Sequence, residues 1–270
     1  MSNIRFSRKF LAIPYGIFLA LFVGIPLILL VVYAFTVTDP TTGETTFSFY
    51  NLVTFFSNRY NLDTFLISLA IGLGNTIICL LIGYPIAYVL AKKELKFGYA
   101  VVLLFVMPMW INFVLRTAAT RDLLYSFGLS GGDHPYIATM IGMVYNYLPF
   151  VILPLYSTMQ KMDYSLVEAS MDLGANKRQT FFKTIIPMTF PGIISAASMV
   201  FMPTMSSFVI SDVMGERQIS LIGNTIQLYF DQGLWNLGSF VALIMLVIIL
   251  GTMFFTRNME KETNNRGGLW

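Results

Sequence analysis

The sequence predicts an all-α, polytopic membrane protein with six transmembrane helices. Three observations carry that reading. Of its 270 residues, 56% are hydrophobic and 11% charged, against about 25% charged in a soluble domain. Six stretches contain no charged residue. The basic residues between them alternate in abundance from one connection to the next, as orientation in a bilayer requires.

The uncharged stretches are 10–35, 64–91, 97–115, 135–160, 184–211 and 232–256. Each approaches or exceeds the ~20 residues that a helix needs to cross the hydrocarbon core. Lipid cannot satisfy free backbone amides, so helices are the spanning element. The first stretch is longer than a signal-peptide core and is followed by no small-residue cleavage site, so it reads as a retained span. The third is the shortest and contains Pro108, Trp110 and Asn112; its outer end is expected to be irregular. Nothing in the chain suggests a repeat or an interdomain linker, and 1–270 reads as a single transmembrane domain.

Arg5, Arg8 and Lys9 precede the first span, and Lys92, Lys93 and Lys96 separate the second from the third. Lys161, Lys177, Arg178 and Lys183 separate the fourth from the fifth, and Arg257, Lys261 and Arg266 follow the sixth. The opposite side holds Arg59, Arg116, Arg121 and Arg217. The positive-inside rule therefore predicts cytoplasmic termini and a cytoplasmic loop at 161–183. The outer connections are expected at 36–63, 116–134 and 212–231. Phe47, Phe49, Tyr50, Phe55, Phe56 and Tyr60 give the first of them the character of an interfacial belt.

The loop at 161–183 is the most informative stretch. Ser165 and Glu168 have the spacing of a capping box. Gly174 stands where a left-handed residue would end the short helix. Asn176, with Gln179 three residues later, offers a second N-cap. A separately capped cytoplasmic helix between two spans is expected to be presented to a partner.

Several classes are excluded or weakened. There is no phosphate-binding G-x-x-x-x-G-K-[ST] loop, no G-x-S-x-G and no H-E-x-x-H. No metal site, cofactor or catalytic pair is expected, and nothing points to nucleic acid. Cys79 is the sole cysteine and lies in an apolar run, so no intrachain disulfide forms and the thiol reads as packing. The uncharged stretches hold no mid-depth ionisable group of the kind coupled carriers use. A pore former without its own energy source requires a motor in trans.

The loop also resembles a family. Glu168-Ala169-Ser170, Gly174 and Ile186-Pro187 resemble the EAA loop of ABC-importer permeases: E-A-A, three residues, G, nine residues, then I-x-L-P. Ser170 stands for Ala, Thr184 for Ile and Ile186 for Leu. The stretches at 107–117, 145–157, 167–181, 185–196, 202–215 and 221–227 look like permeases of spermidine/putrescine importers. The resemblance implies a type I ABC-importer permease fold in the inner or plasma membrane of a prokaryote. It further implies an ABC ATPase dimer, a second, related permease subunit and an extracytoplasmic polyamine-binding protein as partners. Glu168, Ala169, Ser170, Asp172 and Gly174 would then couple to the ATPase.

A polyamine is a flexible polycation, so its path should offer carboxylates and aromatic faces. Trp110, Asn112, Tyr145, Tyr147 and Asp212 are the candidates for that path. Arg116, Asp122 and Glu216 are candidates for contact with the receptor, Arg116 also being able to pair with Asp122. Belt positions, helix packing and an ordinary helix-end charge remain the plainer readings of the path residues. The same architecture would serve sulfate, molybdate, ferric iron or phosphonate; an anion would favour extra basic residues at the outer mouth, where the acids Asp122, Asp133, Asp212, Glu216 and Asp231 outnumber them. A self-sufficient secondary carrier is the rival from another class.

Overall fold

The computed structural model describes residues 13–38, 43–92 and 97–267, with side chains to residue 259. The basic residues Arg5, Arg8, Lys9, Lys93 and Lys96, and the side chains of Lys261 and Arg266, lie outside the described set. In chain order the elements are helix α1 (Ile13–Ala34), strands β1 (Thr36–Thr38) and β2 (Thr45–Phe47), α2 (Tyr50–Ser57), α3 (Arg59–Leu90) and α4 (Gly98–Trp110). There follow α5 (Phe113–Ser126), α6 (Pro135–Gln160), α7 (Tyr164–Asp172), α8 (Lys177–Ser206), α9 (Phe208–Met214), α10 (Ile222–Asp231) and α11 (Trp235–Gly267).

Among the described residues, α1, α3, α6, α8 and α11 are each long and apolar enough to cross a membrane. The sixth crossing differs from expectation. The stretch 97–115 is not one helix: α4 ends in a tight 3₁₀ turn at Met107–Trp110, and α5 leaves at 99° to it. Pro108 favours the tight turn, Ile111 is extended, and the Asn112 side chain accepts hydrogen bonds from Val114 N (3.0 Å) and Leu115 N (3.2 Å). Asn112 therefore begins a new helix instead of continuing the old one. The fifth expected span is displaced as well. Its helix starts at Lys177, seven residues before the expected boundary, and stops at Ser206, with α9 resuming after a non-helical Ser207. Of the connections expected outside, 116–134 and 212–231 are largely helical, and 36–63 holds a two-stranded antiparallel hairpin pairing Thr36 with Phe47, a small departure from all-α.

The chain forms two compact units. In the first, the described residues up to 62 with 225–247, the rings of Phe35, Phe47, Phe49, Phe55 and Phe240 make a chain of edge, tilted and stacked contacts. The buried Asn51 amide donates to the carbonyls of Ala34 (2.9 Å) and Thr36 (3.0 Å), tying α2 to the hairpin.

In the second unit, the described residues of 63–224 with 248–267, the most extensive packing is α6 against α8. Small residues make it close. A Cβ at Gly192 would lie 2.6 Å from Thr158 Oγ1; against α9, one at Gly142 would lie 2.6 Å from the Met214 side chain. In lipid, where apolar area alone does not drive helices together, such close approach is a main source of association. Polar pairs add to it: Asn75 Nδ2 donates to Thr204 Oγ1 (2.8 Å), and the Tyr84 and Thr189 hydroxyls lie 2.8 Å apart. Cys79 is fully buried, with Sγ 3.5 Å from Asn75 Oδ1, in keeping with a packing role.

The α6–α8 seam makes a prediction. Gly192→Leu should cost ~1–3 kcal/mol through overpacking, seen as a lower unfolding temperature of the purified protein in detergent. Gly251→Ala, where nothing lies within 4 Å of the added Cβ, should leave that temperature unchanged or raise it slightly.

Candidate functional site

The α7–α8 junction is built from two caps placed almost back to back. The capping box expected at Ser165 and Glu168 does not form. Instead Asp163, in extended backbone, is the N-cap and accepts from Ser165 N (3.0 Å). A carboxylate at that place also meets the positive end of the helix, so the helix starts at Tyr164 and Glu168 is left exposed on its second turn. At the other end the expectation holds: Gly174 has φ +89°. Gly174 N donates to Met171 O (2.9 Å) and Ala175 N to Ser170 O (3.2 Å), the paired bonds of a Schellman C-cap. Asn176 then caps α8 in a reciprocal box with Gln179 (2.9 and 3.0 Å).

The faces of α7 are unequal. Val167 is 3% exposed, and α7 packs against the first turns of α8. Ser170 lies on the same side, with its hydroxyl near those of Thr180 and Thr184. Leu166, Ala169 and Leu173, spaced i, i+3 and i+7, are exposed, Leu173 by 89%, and form one apolar stripe. Glu168, Asp172, Lys177 and Arg178 are exposed around it. So of the five coupling candidates, Glu168, Ala169 and Asp172 face outward, Ser170 faces the body of the protein, and Gly174 shapes the turn.

The outer candidates separate into three places. Arg116 is 8% exposed and does not pair with Asp122. Its Nε and Nη2 donate to Asn146 Oδ1 (3.0 and 2.6 Å), and its guanidinium lies 5.7 Å from the Tyr145 ring centre. Asn146 is oriented for this by donating through Nδ2 to Gly142 O (2.8 Å). Asp122 pairs instead with its neighbour Arg121 at 2.8 Å on the exposed surface. The reason is reach: Arg116 faces α6 from the first turn of α5, whereas Asp122 lies on the exposed part of that helix.

Asp212, on α9, accepts from Asn224 Nδ2 (2.5 Å). Asn224 Oδ1 in turn accepts from the Ser211 hydroxyl and from Leu221 N, both at 2.8 Å, so one amide fixes the carboxylate and the start of α10. Glu216 sits beyond α9 in an exposed turn where Glu216 and Arg217 both take positive φ (48° and 60°). Gln218 Nε2 holds that turn to Gly132 O (2.8 Å).

Tyr147 is buried, its hydroxyl 3.3 Å from Pro203 O. Tyr145 is partly exposed, and Trp110 is 83% exposed. The amide of Asn112 is engaged in its cap. Thus the structure joins Tyr145 to Arg116, and Asp212 to a polar cluster, but does not gather the path candidates into one cavity. Asn146 and Asn224 are the organising residues that sequence reasoning missed. Their only signal was an Asn inside or beside an apolar run, where a buried amide needs partners.

Comparison with known proteins adds to this geometry. A family model described as "Binding-protein-dependent transport system inner membrane component" matches residues 5–265. The chain is 33% identical over 282 residues to the spermidine/putrescine transport system permease protein PotB of Haemophilus influenzae, covering 98% of this chain and 97% of the relative. It is 37% identical over 251 residues to PotB of Escherichia coli, covering 87% and 90%. A chain in the crystal structure of a bacterial ABC transporter involved in the import of the acidic polysaccharide alginate superposes with a TM-score of 0.69, at 16% identity and 94% coverage of both chains.

The C-cap yields a prediction. No atom lies within 4 Å of a Cβ built on Gly174, so Gly174→Leu is penalised by backbone conformation alone, by ~1–2 kcal/mol. We expect normal insertion, checked by protease protection in membranes, with transport reduced at least severalfold.

Proposed function

Because the chain belongs to the family of binding-protein-dependent transport system inner membrane components, we propose that it is the permease subunit of a polyamine importer. In this reading it moves spermidine or putrescine inward by alternating access, driven by a separate ATPase. The chain is a multi-pass membrane transport component of that family and not an enzyme. The whole chain acts as one permease domain, with 161–183 as its coupling loop.

The observation that carries the reading is the outward stripe Leu166, Ala169 and Leu173 on a helix capped at both ends. Apolar side chains held at fixed spacing on the basic side of a membrane protein suit a groove on a partner. Ala169 is small enough for close approach, and Glu168 and Asp172 supply a polar rim. An ATPase dimer that closes on ATP would carry α7 with it. The caps at Asp163 and at Gly174–Asn176 make that motion a displacement of a rigid rod instead of a local unfolding. Closure of the dimer would open the path outward to a loaded receptor, and hydrolysis would reset it.

The polyamine cargo is supported by the names of the two relatives and by the outer acids. Asp212, held by Asn224, would be a fixed carboxylate at the mouth of the path; Tyr145 and Trp110 would offer ring faces for an ammonium group. Arg116 is cationic, but its burial on Asn146 keeps it off the surface that a receptor would touch, so we assign receptor contact to Asp122 and Glu216. A polyamine-binding protein outside, a second permease chain alongside and cytoplasmic termini complete the arrangement.

The test is reconstitution. Proteoliposomes holding this chain with its ATPase, second permease and receptor should accumulate labelled spermidine only with ATP. Accumulation by the chain alone would contradict the reading. In the same assay Asp212→Asn should raise the half-saturating spermidine concentration roughly three- to fivefold, the size of a partly exposed ion pair.

A further inference from the structure

Two of the departures from the E-A-A…G…I-x-L-P pattern are Ser170 and Thr184, each bringing a hydroxyl where that pattern is apolar. In the fold these hydroxyls meet. Thr184 Oγ1 donates to Ser170 Oγ at 3.2 Å, and the Thr180 hydroxyl lies 3.4 Å from the same oxygen. Ser170 and Thr184 are half-buried and Thr180 is 2% exposed, so the three sit in a partly dry crevice between α7 and α8. Ser170 is the hub, touching both threonines.

The backbone under the threonines is unusual. Thr184 lies in the π-helical turn Phe181–Ile185, immediately after Thr180. Such a turn inserts one residue into an α-helix and re-aims the side chains on either side of it. Here Thr180 and Thr184 both reach the one serine.

We propose that Ser170, Thr180 and Thr184 form a hydroxyl latch that transmits the motion of α7 to α8, making Ser170 a positioning residue and not an ATPase contact. This inference rests on the reading of α7 as the coupling helix. Apolar packing at Val167 lets two helices slide. A hydrogen bond between half-buried hydroxyls resists sliding, because breaking it leaves polar groups without partners. The latch therefore joins α7 to the span at the point where α8 enters the membrane.

The experiment is a double-mutant cycle on the complete reconstituted complex, reading solute moved per ATP hydrolysed. Ser170→Ala should lower that ratio about fivefold, the effect of one neutral hydrogen bond. Ser170→Thr, which keeps the hydroxyl, should stay within about twofold of the parent. Thr184→Val should lower the ratio in the parent background but cause no further loss in the Ser170→Ala background, since its partner is already gone. Effects that multiply independently, or a Ser170→Ala ratio equal to the parent's, would overturn the latch. Those results leave the coupling reading intact as long as the parent complex is ATP-driven; ATP-independent uptake by the parent would overturn the coupling reading itself.

Discussion

The hydrocarbon interior offers no hydrogen-bond partners, and this constraint organises the chain. Every polar group inside it must be answered by the protein. Asn75 meets Thr204 and Tyr84 meets Thr189, and at the start of α5 Arg116 meets Asn146. Each pair joins two helices, so the polar residues that lipid penalises become the bonds that fix one helix against another. Glycines at 142 and 192 bring α6 close to its neighbours. Polar structure that does not need to be buried is displaced to the ends of the helices, where α7 and the outer turns lie.

That displacement gives α7 its character. A nine-residue helix is too short to be stable by propensity alone. It is held by Asp163 at one end, a Schellman turn at the other, and Val167 and Ser170 on one side. The opposite arrangement, an apolar stripe of exposed Leu166, Ala169 and Leu173, costs free energy unless a partner covers it. In the proposed reading stability and function meet there: the side facing α8 keeps the rod attached, and the other side would take up force from a partner.

Much of this was legible in the sequence, but unevenly. The fourth span, Pro135–Gln160, has the expected bounds, because a basic residue and a proline mark its ends clearly. Gly174 and the Asn176–Gln179 box were readable because their chemistry is local. The start of α7 was misplaced because Asp163 and Ser165 are both good caps, and only the folded backbone decides between them. The break between α4 and α5 was legible in part: Pro108, Trp110 and Asn112 marked the outer end of 97–115 as irregular, but an uncharged run of that length still reads as one crossing. Arg116 was taken for a surface charge because hydropathy says nothing about a buried amide thirty residues away. The hydroxyl cluster of Ser170, Thr180 and Thr184 was invisible, since the π-helical turn that holds Thr184 has no pattern of its own.

The central claim is that α7 presents Ala169 to an ATPase. Cys79 is fully buried, so a cysteine introduced by Ala169→Cys is the one accessible thiol among the described residues. Treating the assembled complex with a short bifunctional thiol reagent, with single cysteines placed around the ATPase cleft, tests the claim directly. The account predicts a cross-link between residue 169 and the ATPase, together with loss of ATP-driven uptake. A thiol at 169 that forms no cross-link and stays fully open to a bulky maleimide in the assembled complex would contradict it.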